Sequence, residues 1–170
     1  MTSLHRTHRH HRAHCLEGAL AAATILEYHG YPPLILDIQS ADLLDHTLFL
    51  YQQGGLLGTI GKSRDIGLGG RRPVYQNLHT LVQSYAAPYI DRKAKIIGYG
   101  VLDLRTLPRQ DWRTSTKNLW WLESVLEDTP HRPFRTSAVF NRYWRNRFLT
   151  FKKLFPDQQP DYFPDQKNWT

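Results

Sequence analysis

His14-Cys15-Leu16-Glu17-Gly18-Ala19 opens an apolar run that reaches Leu26, and it holds the only cysteine among 170 residues. Leu16, Leu20, Ala23 and Leu26 or Glu27 recur at helical spacing, and Gly30 supplies a C-terminal stop. The spacing therefore predicts one amphipathic helix. Ala19, Ala21, Ala22 and Ala23 make it slim enough to lie flat on a sheet. Cys15 is expected at or just before the first turn, where unsatisfied N–H groups and the positive end of the helix dipole favour a thiolate. A free thiol titrates near about 8.5, and such a placement beside an imidazolium lowers that by several units. The opposing reading is a small buried hydrophobe.

Outward from this helix the pattern becomes β. Tyr31-Pro32-Pro33 forbids helix continuation, and Leu34-Ile35-Leu36-Asp37-Ile38 reads as a buried strand. Ala41–Leu44 is a connector with at most one helical turn. Asp45–Tyr51 is a second strand, Gln52-Gln53-Gly54-Gly55 is turn chemistry, and Leu56–Lys62 returns as a third strand to close a hairpin. Ser63–Arg72 is a loop rich in glycine and arginine. Pro73 is expected to open a helix that Pro88 closes. Ile96–Leu104 is a further strand, and Ser115 or Thr116 is expected to cap a short helix over Asn118–Glu127. A final helix is expected over Ser137–Phe155, with Phe140, Trp144, Phe148, Phe151 and Phe155 in one stripe, buried in the core or against another subunit.

Composition bounds the class. With 41% hydrophobic residues, 170 residues suffice for one domain with a proper core. A lone cysteine excludes an intrachain disulfide and a cysteine-cluster zinc site. No apolar leader is visible and no stretch approaches the roughly 20 apolar residues of a membrane span, so a cytoplasmic chain without membrane contact is expected. The net charge is +7, with nine histidines uncounted. Five of them, interleaved with arginines, lie between His5 and His14. That tract has the composition of a metal or phosphate binder, but nothing in it fixes a geometry, and residues 1–13 are read as a basic tail with no metal. Residues 14–155 form the domain, and 156–170 an extended, weakly packed C-terminal tail.

The order of Cys15 at a helix, the Gly30-Tyr31-Pro32-Pro33-Leu34-Ile35-Leu36 strand, His46 opening the next strand, Gly54-Gly55 and the return through Leu57–Lys62 resembles the transglutaminase-like branch of the papain-like cysteine enzymes. The resemblance covers residues 14 to about 65. It implies an α+β fold in which a small antiparallel sheet packs on the cysteine-bearing helix, here with C-terminal helices added. It also implies an amide or ester hydrolase, or an acyl (amine) transferase, working through a covalent thioester without a cofactor. Cys15 is then the nucleophile and His46 the base; His14 adjoins the cysteine but points away from it. The sequence departs from the family at the third member. Ser63 is nearest by spacing and is preferred, while Asp65 has the better chemistry; the aromatic residue after the histidine is replaced by Thr47 and Leu48. Backbone N–H groups at the helix start would hold the oxyanion.

Around the pair, Lys62, Arg64, Arg71 and Arg72 are read as a basic rim that grips an anionic small-molecule or peptide substrate, and Gly67, Gly69 and Gly70 as the hinges of a lid. Two rivals remain: a non-catalytic interaction protein on a degenerate scaffold, and a basic binder of nucleic acid or acidic partners. The dispersal of the basic residues argues against the latter.

Overall fold

The computed structural model describes residues 3–108, 111–114 and 120–170, as backbone alone at 3–14, 111 and 120. A helix α1 (Ser3–Tyr28) precedes strands β1 (Leu34–Ser40), β2 (His46–Gln53), β3 (Leu56–Ile60) and β4 (Arg71–Tyr75). Helix α2 (Leu78–Ala86), strand β5 (Ile96–Asp103), helix α3 (Trp120–Asp128), the short strand β6 (Arg132–Pro133) and helix α4 (Ala138–Leu154) follow. The strands form one antiparallel sheet in the order β4-β3-β2-β1-β5-β6. The α+β class with a cysteine-bearing helix on an antiparallel sheet is thus observed.

Local chemistry explains the boundaries. Gly30, at φ 84°, ends α1 in a Schellman arrangement in which Tyr31 N–H reaches Leu26 O and Gly30 N–H reaches Glu27 O, both at 3.0 Å. Gly54 and Gly55, at φ 58° and 81°, form the two-residue turn between β2 and β3 with Gln53 paired to Leu56. Two positive φ angles in succession match the right-handed twist of the flanking strands.

The expected helix start at Pro73 is a strand instead. β4 lies at the sheet edge, where proline's missing donor is tolerated. Helix α2 starts later because Asn77 caps it, its side chain accepting from Thr80 N–H at 2.9 Å. Ser137 caps α4 as expected. The proposed Ser115/Thr116 cap lies outside the described residues, as do the side chains of the His5–His14 tract.

Alternation along the central strands divides the core in two. Ile35, Phe49 and Leu102 meet Leu16, Ala19, Leu20 and Ala23 of α1, together with Leu122 and Leu126 of α3. Ala19 and Ala23 are fully buried, so small side chains do bring the helix close to the sheet. On the other face, Leu36, Ile38, Leu48 and Leu50 pack on Leu81, Val82 and Tyr85 of α2.

Two expectations about the C-terminal third are corrected. No residue of α4 is fully buried. Its aromatic stripe is half covered by the following segment: Trp144 stacks on Tyr162 with centroids 6.2 Å apart, and Phe151 meets Tyr162 at 5.5 Å. That segment is accordingly not weakly packed throughout. Phe163 is buried, and Trp169 forms a bridge to Arg71. Among the described residues no helix is long and apolar enough to cross a membrane.

Candidate functional site: a cleft at the start of the second strand

The sheet end where β2 begins and β3 finishes opens into a cleft of about 990 Å³. Its walls come from Cys15, Glu17 and Gly18 of α1, the β1–β2 loop, His46, and Lys62–Ile66. The Pro88–Asp91 connection, Phe148 and Lys152 of α4, and Gln158–Pro160 complete it. Six of the residues singled out in the sequence, Cys15, His46, Lys62, Ser63, Arg64 and Asp65, therefore share one cavity.

Cys15 is placed differently from the expectation. The backbone of α1 begins at Ser3, so the cysteine lies inside the helix and not on its first turn. The local N–H groups are then engaged in the helix's own ladder, and the dipole effect that depends on a terminus is lost. Cys15 is only 5% exposed. Burial pushes its thiol above the ordinary value, opposed by hydrogen bonds from the backbone and side chain of Thr47 and from Leu16 N–H, while the Asp37 carboxylate adds to the rise. The expectation of a thiolate at neutral pH gives way to a protonated thiol.

His46 is equally buried, at 5% exposure. Its Nε2 lies 2.6 Å from the Leu68 carbonyl oxygen, and its ring meets Tyr85 edge-on at 6.4 Å. Burial lowers its pKa to about 4, partly offset by the Leu68 carbonyl. A carbonyl only accepts, so Nε2 carries the hydrogen and Nδ1 the lone pair. Neighbouring residues on a strand face opposite ways. Thr47 is accordingly directed to the cysteine side and His46 to the α2 side, so the two side chains of the expected pair are committed to opposite faces of β2.

The orienting role given to Ser63 or Asp65 falls to the Leu68 carbonyl. Ser63 Oγ accepts from Asp65 N–H at 3.1 Å, and Asp65 Oδ1 accepts from Gln159 Nε2 at 3.4 Å. Both belong to the cleft wall, and Asp65 is fastened to the C-terminal segment through Gln159.

Arg71 is not on a rim. It is fully buried. Its guanidinium donates to the carbonyls of Gly67 (2.6 Å), Gly69 (3.2 Å) and Gly70 (3.1 Å) and to Ser84 Oγ (3.0 Å). It also sits 3.9 Å from the centroid of the Tyr85 ring. One side chain thereby pins the glycine loop that was read as a lid. Arg72 alternates outward on β4, away from the cleft. Lys62 and Arg64 do reach the cleft, but among the described residues the lining holds five carboxylates (Glu17, Asp42, Asp45, Asp65, Asp91) against three cations, the third being Lys152. The balance among those described residues is acidic.

Three participants escaped the sequence reading. Thr47 Oγ donates to Asp37 Oδ1 at 3.2 Å, and His131 Nε2 lies 3.0 Å from Asp37 Oδ2. Asp37 was visible as one acid in an apolar strand. His131, 94 residues away, gave no signal. Among the described residues no group of histidine, cysteine and carboxylate side chains could hold a metal ion. No family model matches the sequence, and no curated protein is significantly similar to it.

Proposed function

We propose that the protein is a cysteine-dependent amide or ester hydrolase, or an acyl transferase to an amine, acting through a thioester on Cys15. One observation carries the reading: a single cleft is lined by the chain's only cysteine and by a buried histidine whose bond to Leu68 leaves Nδ1 unprotonated. The resting pair is neutral, a thiol and an imidazole, so reaction begins with the sulfur turning from Thr47 into the cleft. The two side chains enter the cleft from opposite faces of β2, so a water in the cleft relays the S–H proton to Nδ1 of His46 as sulfur attacks the carbonyl carbon. The C–N or C–O bond then breaks, and the leaving group takes that proton. Water or an amine attacks the thioester carbonyl in turn, gives its proton to His46 and returns the thiol.

Lys62 is the group suited to the developing oxyanion. Its Cβ packs 3.5 Å from where a side chain on Gly18 would begin, three residues along α1 from Cys15. The acidic balance of the lining favours a neutral or amine-bearing substrate over the anion that Lys62 and Arg64 alone suggest. Turnover of p-nitrophenyl acetate tests the reading: hydrolysis should be lost in Cys15→Ser and in His46→Gln, with both variants folded. Hydrolysis equal in parent and Cys15→Ser would overturn it.

The second reading, a non-catalytic interaction protein on the same scaffold, is favoured by the burial and raised pKa of Cys15. It predicts no acyl transfer at any pH at which the chain is folded.

A further inference from the structure

A carboxylate on the central strand of a sheet, 2% exposed, has to be matched by donors. Asp37 has two. Thr47, its cross-strand partner on β2, donates to Oδ1 at 3.2 Å, and His131 reaches Oδ2 at 3.0 Å. The approach of His131 depends on Gly100, the residue paired with Asp37 on β5. A Cβ there would meet Pro130 O at 3.0 Å and the His131 ring at 3.2 and 3.3 Å, so glycine leaves the imidazole room that a side chain would tighten. The Asp37 carboxylate, and after it the Thr129 backbone, hold the His131 ring above its ordinary value, which favours the imidazolium.

Thr47 joins this pair to the cysteine, because its hydroxyl and backbone also hydrogen-bond the Cys15 sulfur. We infer that Asp37 and His131 are positioning residues for the Cys15 sulfur, acting on it through the Thr47 hydroxyl. The Thr47 hydroxyl has one hydrogen, given to Asp37 while the thiol is protonated; donation to the sulfur instead is what lowers the thiol's value, so Asp37 competes with the thiolate for it. The Asp37 charge stands against the thiolate, and the His131 imidazolium neutralises that charge from the far side. Loss of the His131 proton unmasks Asp37 and makes the thiol harder to ionise. The charged and titratable groups around the chain of contacts are Asp37 and Asp45 facing His131, and Asp37 and Tyr89 facing Cys15. His46 is on the opposite face and titrates near 4, far from this step. The inference gives the proposed nucleophile its regulation and so rests on that reading, but the thiol's titration can be read without turnover.

The test is the ultraviolet absorbance of the thiolate against pH, as a difference from Cys15→Ser, which the single cysteine makes clean. Asp37→Asn removes the opposing charge and should lower the midpoint by about one pH unit, tenfold in thiolate at fixed pH. His131→Gln keeps a donor to Asp37 but not the charge, so it should raise the midpoint. A purely structural His131 would tolerate glutamine with no shift. The parent alone carries a further reading: its titration should be broadened by the loss of the His131 proton, and His131→Gln should restore a simple single-proton curve. Midpoints equal to the parent's in both variants overturn the inference. If the variants do not fold, a parent curve already following one proton overturns it as well. Shifted midpoints with no acyl transfer would leave the positioning intact and remove the enzymatic reading only.

Discussion

The Nε2 hydrogen of His46 points at the Leu68 carbonyl oxygen, 2.6 Å away, and the ring is buried between β2 and Tyr85. A backbone acceptor from the β3–β4 loop thus fixes the tautomer of a histidine 22 residues earlier. It fixes the direction of the lone pair without adding a negative charge, which separates this histidine from one held by a carboxylate.

Acid stability should report that burial. The folded-state value of about 4 lies below the unfolded 6.5, so the neutral ring contributes stability that is full above 6.5 and lost as pH falls toward 4. The loss amounts to about 2 kcal/mol by pH 5 and about 3 kcal/mol in all. His131, whose value is raised mainly by Asp37, acts in the opposite sense, its contribution being present below 6.5 and lost as pH rises through the raised value. Urea unfolding of His46→Gln between pH 7 and pH 5 should show a shallower decline than the parent. Parallel declines would mean that His46 is not buried neutral.

Much of the sheet was legible because its signals are local. The Tyr31-Pro32-Pro33 break, the apolar run from Leu34 and the Gly54-Gly55 turn each act over a few residues, and Gly30 and Ser137 act on their own helix ends. Cys15, His46 and the Lys62–Asp65 stretch reach one cleft because strand order places them there. What could not be read was direction. Arg71 and Arg72 are neighbours with the same charge, yet strand alternation buries the first and exposes the second. The His46–Thr47 step turns on the same parity, and a shift of one residue decides which of them faces Cys15. Leu68 O and His131 enter from distant segments whose side-chain types announce nothing.

Arg71 should behave as a structural residue. Its guanidinium donates to the carbonyls of Gly67, Gly69 and Gly70 and to Ser84. Arg71→Met leaves these acceptors unmatched and should destabilise by about 3 kcal/mol or more, since bonds to a charged group contribute about 1.5–3 kcal/mol each. Arg72→Met, on the exposed side of β4, should stay within about 0.5 kcal/mol. Chemical denaturation of the two variants side by side decides the matter; equal effects would contradict the buried placement of Arg71.

The C-terminal segment should contribute through Phe163 more than α4 does through Trp144. Phe163 is buried, whereas Trp144 is only half covered. Phe163→Ala should cost about 3–5 kcal/mol. Trp144→Ala should cost roughly half as much, in proportion to the apolar area it hides. Urea midpoints in the reverse order would place the load on α4 and not on the segment that covers it.

The central claim is that Cys15 accepts an acyl group with His46 as its base. Rapid quenching of the protein with p-nitrophenyl acetate, followed by intact-mass and peptide mass spectrometry, reads that step directly. The account predicts an acetyl adduct on Cys15 that forms in step with the first equivalent of p-nitrophenol, is absent in Cys15→Ser, and forms more slowly by about a hundredfold or more in His46→Gln, the lower end of the range for loss of a general base. An adduct confined to lysines, or one on Cys15 that forms as fast in His46→Gln as in the parent, would contradict it.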